Sequence, residues 1–313
     1  EYTFVFTGGN GEPIWAERPY GNGEVRVEQQ FTGELVFVGM EFGPLVKVGG
    51  QGDVMHELPK DLAHSGCAVS VVIPYFRSMD KKLAGREVED VEGFRYEVPF
   101  MLRAPVTLRA KKTVVDGIQV YMLVTDEPDL FNRPYPGKKG RPRIEEFYES
   151  ILLSRGSLEL MRQLGIQPEI IHSNDHHTGL IPLYMRTLFC EHFRRTGSVF
   201  TIHNIGYQGE YPVEWYPEIG LQGIEPIIIK SGRLNLMAVV PEVIKKFGGA
   251  GHYVNTVSPT YAREIRNTYF EVDRLLRDIE HRFGGILNGI DFSVWDPETD
   301  RALARNFSIQ DGI

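Results

Sequence analysis

Residues 34–74 run ELVFVGMEFGPLVKVGGQGDVMHELPKDLAHSGCAVSVVIP, and this stretch decides the fold. Leu35-Val36-Phe37-Val38 is a short continuous apolar run, the pattern of a strand buried on both faces of a parallel sheet. A glycine-rich loop follows, and Asp53 to His64 is expected to form a helix that ends at Gly66. Ala68-Val69-Ser70-Val71-Val72-Ile73 is a second strand, closed by Pro74. Strand, helix and strand in this order make a βαβ unit with a right-handed crossover and a parallel sheet. The fold class is therefore α/β.

Outward from this unit the alternation continues. Toward the N-terminus, residues 1–32 form a β-rich extension, with Tyr2–Phe6 and Glu24–Glu28 as strands joined by a Gly/Pro-rich loop that holds Trp15. It reads either as an edge hairpin or as something that resembles the closing strands of a carbohydrate-binding module. Toward the C-terminus, a β-rich excursion covers about residues 87–125, with strands expected at Phe94–Phe100 and Ile118–Val124. A polar loop from Asn132 to Arg143 is expected at the surface. Helix Ile144–Leu164 leads to strand Ile170-Ile171-His172, and later strands are expected at Ser198–Ile202, His252–Val257 and Gly285–Leu287. In an open α/β sheet, ligands sit outside the carboxyl ends of the strands, so the loops after the strands carry the chemistry.

The bulk numbers exclude several classes. With 34 Lys+Arg against 42 Asp+Glu, a net charge of −8 argues against a groove that works by neutralising nucleic-acid phosphates. A neutral polymer fits this charge better. The 2 cysteines, Cys67 and Cys190, with no CxxC and no histidine at ligand spacing, suggest neither a disulfide framework nor a metal, and point to a reducing compartment. No apolar run approaches the roughly 20 residues of a membrane span. A hydrophobic share of 42% is enough for a sizeable core.

Three loops stand out. The first, Glu41 to Val54, places Gly49, Gly50 and Gly52 ahead of a helix, where backbone N–H groups and the helix terminus favour an anion and Lys47 adds a full charge. Its spacing is neither a dinucleotide fingerprint nor a Walker loop. Taken alone, it could also be a tight turn with Asp53 as the helix cap. The second, His172-Ser173-Asn174-Asp175-His176-His177-Thr178-Gly179, holds a histidine pair whose neighbours make a poor metal site. The third is Thr201-Ile202-His203-Asn204-Ile205-Gly206-Tyr207-Gln208-Gly209.

These motifs, with Asn255-Thr256-Val257-Ser258-Pro259-Thr260-Tyr261 and Leu287-Asn288-Gly289-Ile290-Asp291, resemble the ordered signature set of ADP-glucose-type glycogen and starch synthases. The resemblance implies the N-terminal half of a two-Rossmann-domain glycosyltransferase fold, with the active site in the cleft between the domains. It implies residues 33–300 as the N-terminal catalytic domain, and 301–313 as the start of a linker to a C-terminal Rossmann-like domain that the chain lacks. It implies retaining transfer of glucose from ADP-glucose to α-1,4-glucan, glycogen or starch, without a cofactor or metal, in the bacterial cytoplasm or plastid stroma. His203, Asp175 and Asp53 inherit catalytic-site roles. Lys47, Gly49, Gly50, Asn204, Asn288 and His177 inherit substrate binding. The expected partners exclude nucleic acid and membrane.

The chain also departs from that family. Gln51 stands where Leu is usual, His176 where Trp is common and Ala238 where Lys is frequent. Residues 236–251 look longer than the family's stretch, and the Arg-Phe pair expected in the 144–164 helix is absent, with Glu145, Glu146 and Glu149 nearby. Two rivals stay open: a UDP-sugar glycosyltransferase of the same fold, and a non-catalytic glucan-binding scaffold derived from a synthase. The retention of Lys47, Asp175 and His203 favours an enzyme.

Overall fold

The computed structural model describes residues 6–7, 13–14, 32–135, 143–247, 251–267, 271–291 and 295–308. The chain divides into two units, Glu1–Phe31 and Thr32–Ile313. In the first, Phe6–Thr7 pairs antiparallel with Pro13–Ile14. Of the strands expected in this unit, Glu24–Glu28 lies outside the described residues, as do Trp15 and all of Tyr2–Phe6 except Phe6.

The second unit is a Rossmann-like α/β domain. Its large sheet contains β1 (Glu34–Val38), β2 (Ala68–Pro74), β3 (Val106–Val115), β4 (Ile118–Val124), β5 (Ile170–Asn174), β6 (Gly197–Ile202), β7 (His252–Thr256) and β8 (Phe283–Gly285) in the spatial order β8-β7-β6-β5-β1-β2-β4-β3. Every neighbouring pair from β8 to β4 is parallel. Only the outer flank is antiparallel: β3 pairs with β4, and the short strands Glu89–Asp90 and Tyr96–Val98 both pair with β3. The chain builds β1, β2 and β4 in one direction and then β5 to β8 in the other. The order therefore reverses between β1 and β5, which are aligned from Leu35 opposite Ile170 to Val38 opposite Ser173. A crevice opens at such a reversal, outside the carboxyl ends of the two strands.

Helix α1 (Gly50–His64) starts three residues before its expected position, because Gly49 in extended conformation ends the loop and the glycines themselves enter the first turn. Asp53 consequently lies inside that turn and is not the cap. Helix α2 (Ile144–Leu164) has the expected bounds, and Gly165 closes it in the left-handed conformation at φ 70°. Every residue of α2 from Phe147 to Met161 is buried, including Glu149, Arg155 and Glu159. The helix can lie that close to the sheet because of Gly156, where a Cβ would fall 2.6 Å from Leu108 Cδ1 and 2.9 Å from Leu123 Cδ1.

The ten-residue strand β3 lies in the β-rich excursion between the two strands expected there. The expected strand at 94–100 shrinks to Tyr96–Val98. The last strand is Phe283–Gly285, not Gly285–Leu287. Gly285 squeezes past the loop after β7, where a Cβ would meet the Ser258 carbonyl oxygen at 2.0 Å, and Ile286 and Leu287 emerge exposed. Ala238, in helix α3 (Leu236–Phe247), is fully buried among apolar residues that include Met237 and Val240. No helix among the described residues is long and apolar enough to cross a membrane.

Candidate active site

The carboxyl ends of β1 and β5, where the strand order reverses, gather three loop ends. Glu41, in the loop after β1, is buried at 2% exposure. Its Oε2 accepts the backbone N–H of Val48 at 2.6 Å and of Gly49 at 2.9 Å, and its Oε1 accepts the Tyr135 hydroxyl at 2.7 Å. A carboxylate from the protein itself thus already uses the Gly49 amide that the sequence assigns to an anion. Gly52 leaves little room for a side chain, since a Cβ there would sit 3.1 Å from Glu41 Oε2 and 3.1 Å from Lys47 Cγ and one of these would have to shift. At Gly49 and Gly50, by contrast, a Cβ would meet nothing within 4 Å, so these two backbones face open space that a ligand can approach. Lys47 Nζ lies 2.7 Å from Asp53 Oδ1, and both side chains are nearly half exposed.

At the end of β5, Asp175 adopts φ 55°, ψ 176°, a region that costs a non-glycine residue about 1–3 kcal/mol. Its backbone N–H reaches the Thr201 carbonyl at 3.0 Å. Its Oδ1 accepts the backbone N–H of His203 at 2.8 Å and that of Asn204 at 3.4 Å, so the carboxylate ties the β5 loop to the β6 loop. Gln51, from the first turn of α1, donates Nε2–H to Asp175 Oδ2 at 3.3 Å. Burial pushes the Asp175 carboxyl up to about 7, against the pull of the two backbone N–H bonds, and the charge of Glu41 adds to the rise.

Asn174 orients the His203 ring. Its amide Nδ2 donates to the carbonyls of Val38 at 3.2 Å and His172 at 3.3 Å, which turns its Oδ1 toward His203 Nε2 at 2.9 Å. An acceptor at that position places the ring proton on Nε2 and leaves Nδ1 as a hydrogen-bond acceptor. Burial lowers His203 to about 4, so the ring is neutral near pH 7. It can position a hydroxyl, but it is not a resident cation.

The histidine pair behaves differently. His177 is 4% exposed, its ring centroid is 3.8 Å from that of His176, and it meets the edge of Tyr135 at 5.6 Å. The buried Nδ1 atoms of both rings have no hydrogen-bond partner. His176, where the family has an aromatic, packs against Gly209, whose Cβ position lies 2.8 Å from His176 Cδ2. Burial lowers both histidines, His176 to about 4. Among the described residues no group of three His, Cys, Asp or Glu side chains could hold a metal.

The structure therefore joins Asp175, His203 and Asn204 directly, and links them through Gln51 to the start of α1. Lys47 and Asp53 pair with each other, while Asn288 is exposed in the loop after β8. That loop runs back to α1, where Asp291 lies 3.7 Å from Lys60. Sequence reading missed Glu41, Gln51, Tyr135 and Asn174 as organisers of the site. Tyr135 belongs to the loop expected at the surface, yet its hydroxyl is anchored inward; residues 136–142 of that loop lie outside the described residues. Only the departure at Gln51 gave a signal in the sequence.

Comparison with known proteins gives this geometry a context. The family described as starch synthase catalytic domain matches residues 34–279. The glycogen synthase of Thermotoga maritima is 31% identical over 306 residues, which cover 88% of this chain and 56% of that protein. The glycogen synthase of a Hydrogenobaculum species is 32% identical over 290 residues, covering 88% and 55%. Among solved structures, the catalytic domain of starch synthase IV from Arabidopsis thaliana, bound to ADP and acarbose, superposes with a TM-score of 0.74 at 28% identity, covering 90% of this chain and 56% of that one. The chain thus spans little more than half the length of these relatives.

Proposed function

The chain belongs to the starch synthase catalytic domain family, and from that premise we propose that it carries the acceptor-side half of a retaining glucosyltransferase that extends α-1,4-glucan from ADP-glucose. The observation that carries this reading is the linkage of Asp175, His203 and Asn204 at the carboxyl ends of β5 and β6, beside the open glycine pair of α1. The similar Arabidopsis structure holds ADP and acarbose, a nucleotide and a glucan-like sugar, which suits such a site.

The geometry supports the following roles. The backbone of Gly50 and the open side-chain face of Gly49, whose own N–H is held by Glu41, accommodate the donor diphosphate near the helix terminus. Lys47 leaves Asp53 to neutralise the phosphate charge. The neutral His203 ring, fixed by Asn174, accepts a hydrogen bond from a hydroxyl of the glucosyl unit and orients it. Asp175, bound to the backbone N–H of His203, supplies a carboxylate that can respond to positive charge developing on the sugar. Charge on the departing ADP needs further cationic groups, which we assign to the part of the relatives' length outside this chain. The cytoplasm or plastid stroma is the compartment we favour, as the family resemblance implies.

The test is transfer of labelled glucose to glycogen by the full-length protein, with ADP-glucose and UDP-glucose compared. Transfer from ADP-glucose is expected, with little from UDP-glucose. Preference for UDP-glucose would move the protein to the first rival, and no transfer from either donor would move it to the scaffold reading.

A further inference from the structure

Gln51 replaces an apolar residue of the family signature, yet it is buried at 4% exposure and both ends of its amide are engaged. Nε2 donates to Asp175 Oδ2 at 3.3 Å, and Oε1 lies 3.1 Å from the Tyr135 hydroxyl, whose single proton it shares with a second, nearer acceptor. The same hydroxyl lies 2.7 Å from Glu41 Oε1, so four side chains from three loops form one chain of contacts, Glu41 to Tyr135 to Gln51 to Asp175. The two oxygens of Asp175 are held unequally. Oδ1 receives two backbone N–H groups, whereas Gln51 is the donor described on Oδ2.

A buried polar side chain that replaces Leu loses favourable transfer energy, and its hydrogen bonds have to offset that loss. Here they converge on the carboxylate at the centre of the site. We propose that Gln51 is a positioning residue for glucosyl transfer: its amide holds Asp175 Oδ2, and Tyr135 in turn holds the amide. The proposal rests on the glucosyltransferase reading above.

The groups that bear on Asp175 are the charge of Glu41 and the backbone N–H groups of His203 and Asn204, with Tyr135 between Glu41 and Gln51; the neighbouring titratable side chains of its own turn and of the end of β6 are His176, His177 and His203. Burial keeps the three histidines neutral near pH 7, so the charge that bears on Asp175 is that of Glu41, which disfavours ionisation. The Gln51 N–H acts in the opposite sense, because a donor on Oδ2 favours the carboxylate.

Gln51→Leu removes both hydrogen bonds at similar volume, and Tyr135→Phe removes only the contact that orients the amide. The carboxyl carbon of Asp175, followed by carbon-13 NMR through a pH titration of the chain, reports the contact without any need for turnover. In Gln51→Leu the midpoint is expected to rise by about 0.5–1 pH unit, the equivalent of one hydrogen bond of about 1 kcal/mol, and by less in Tyr135→Phe. In the full-length protein the acid limb of kcat should move upward by the same interval, with KM for ADP-glucose changed by less than about two-fold. An unmoved midpoint in a Gln51→Leu protein that melts normally would overturn the proposal. So would a shifted midpoint with an unshifted kcat profile, since Asp175 would then be held but not used. A wild-type protein without transfer activity would overturn the glucosyltransferase reading, and the titration would still show whether Gln51 holds the carboxylate.

Discussion

Asp175→Asn probes the buried carboxylate at the end of β5. Burial pushes this carboxyl from 3.8 to about 7 in the folded chain. Between those values the unfolded chain has ionised the group and the folded chain still holds its proton. Where the folded state binds the extra proton, stability falls as pH rises. The contribution of this group is therefore intact below about pH 4 and is lost progressively up to about pH 7. About three pH units at about 1.4 kcal/mol each make the loss ~4 kcal/mol. Asparagine keeps the shape and has no charge to desolvate, and its Oδ1 can accept the backbone N–H groups of His203 and Asn204 as Asp175 does. Relative to wild type, the variant should be similarly stable near pH 4 and more stable at pH 8 by up to about 4 kcal/mol. Urea unfolding of both proteins at about pH 4, 6 and 8 measures this. Taking the difference between the proteins cancels other buried groups with the same trend, such as Glu149, which burial raises to about 8. A stability difference that stayed constant across the pH range would refute the reasoning.

Three further outcomes are expected. In the full-length protein, Lys47→Ala should raise KM for ADP-glucose roughly 10- to 150-fold, the equivalent of one charged hydrogen bond of about 1.5–3 kcal/mol, and leave KM for glucan nearly unchanged. Steady-state kinetics with each substrate varied checks this, and equal effects on both would count against a phosphate-facing lysine. His203→Ala should lower kcat about 30- to 1000-fold with ADP affinity unchanged, whereas a packing role predicts a lower melting temperature and normal turnover per folded molecule. Gly179→Ala, which puts a Cβ 2.3 Å from the Leu236 carbonyl oxygen, should destabilise the domain by about 1–3 kcal/mol in urea unfolding.

Much of the sheet was legible because its central strands are continuous apolar runs and α2 has a clear period and a glycine stop. Strand β3 was not, because VTLRAKKTVV carries Arg109, Lys111 and Lys112 on an outer strand. There they pair with Asp126, Asp90 and Glu89, partners that sequence order does not announce. The same physics hid part of the site. Asp175 and His203 lie in motifs that can be quoted from the sequence, whereas Glu41 and Tyr135, 94 positions apart, acquire meaning only when the fold brings them together. Asn174 could be read as a neighbour of Asp175, but its two carbonyl contacts, and so its effect on the His203 proton, come from strand pairing.

The contact between Lys47 and Asp53 bears on how the site meets the small anions of any solution. An incoming anion finds the ammonium already occupied and has to displace a carboxylate to reach it. Because both groups are about half exposed, at 43% and 48%, that displacement costs at most about 1 kcal/mol, or roughly a five-fold loss of affinity. The cost is the same for inorganic phosphate as for a large ligand. A ligand that, as proposed, also reaches the Gly50 backbone and the His203 ring has further contacts to offset it, and a lone phosphate ion does not. If the site binds ligands as proposed above, the closed pair is expected to act as a threshold that weakens simple ions more than extended ligands.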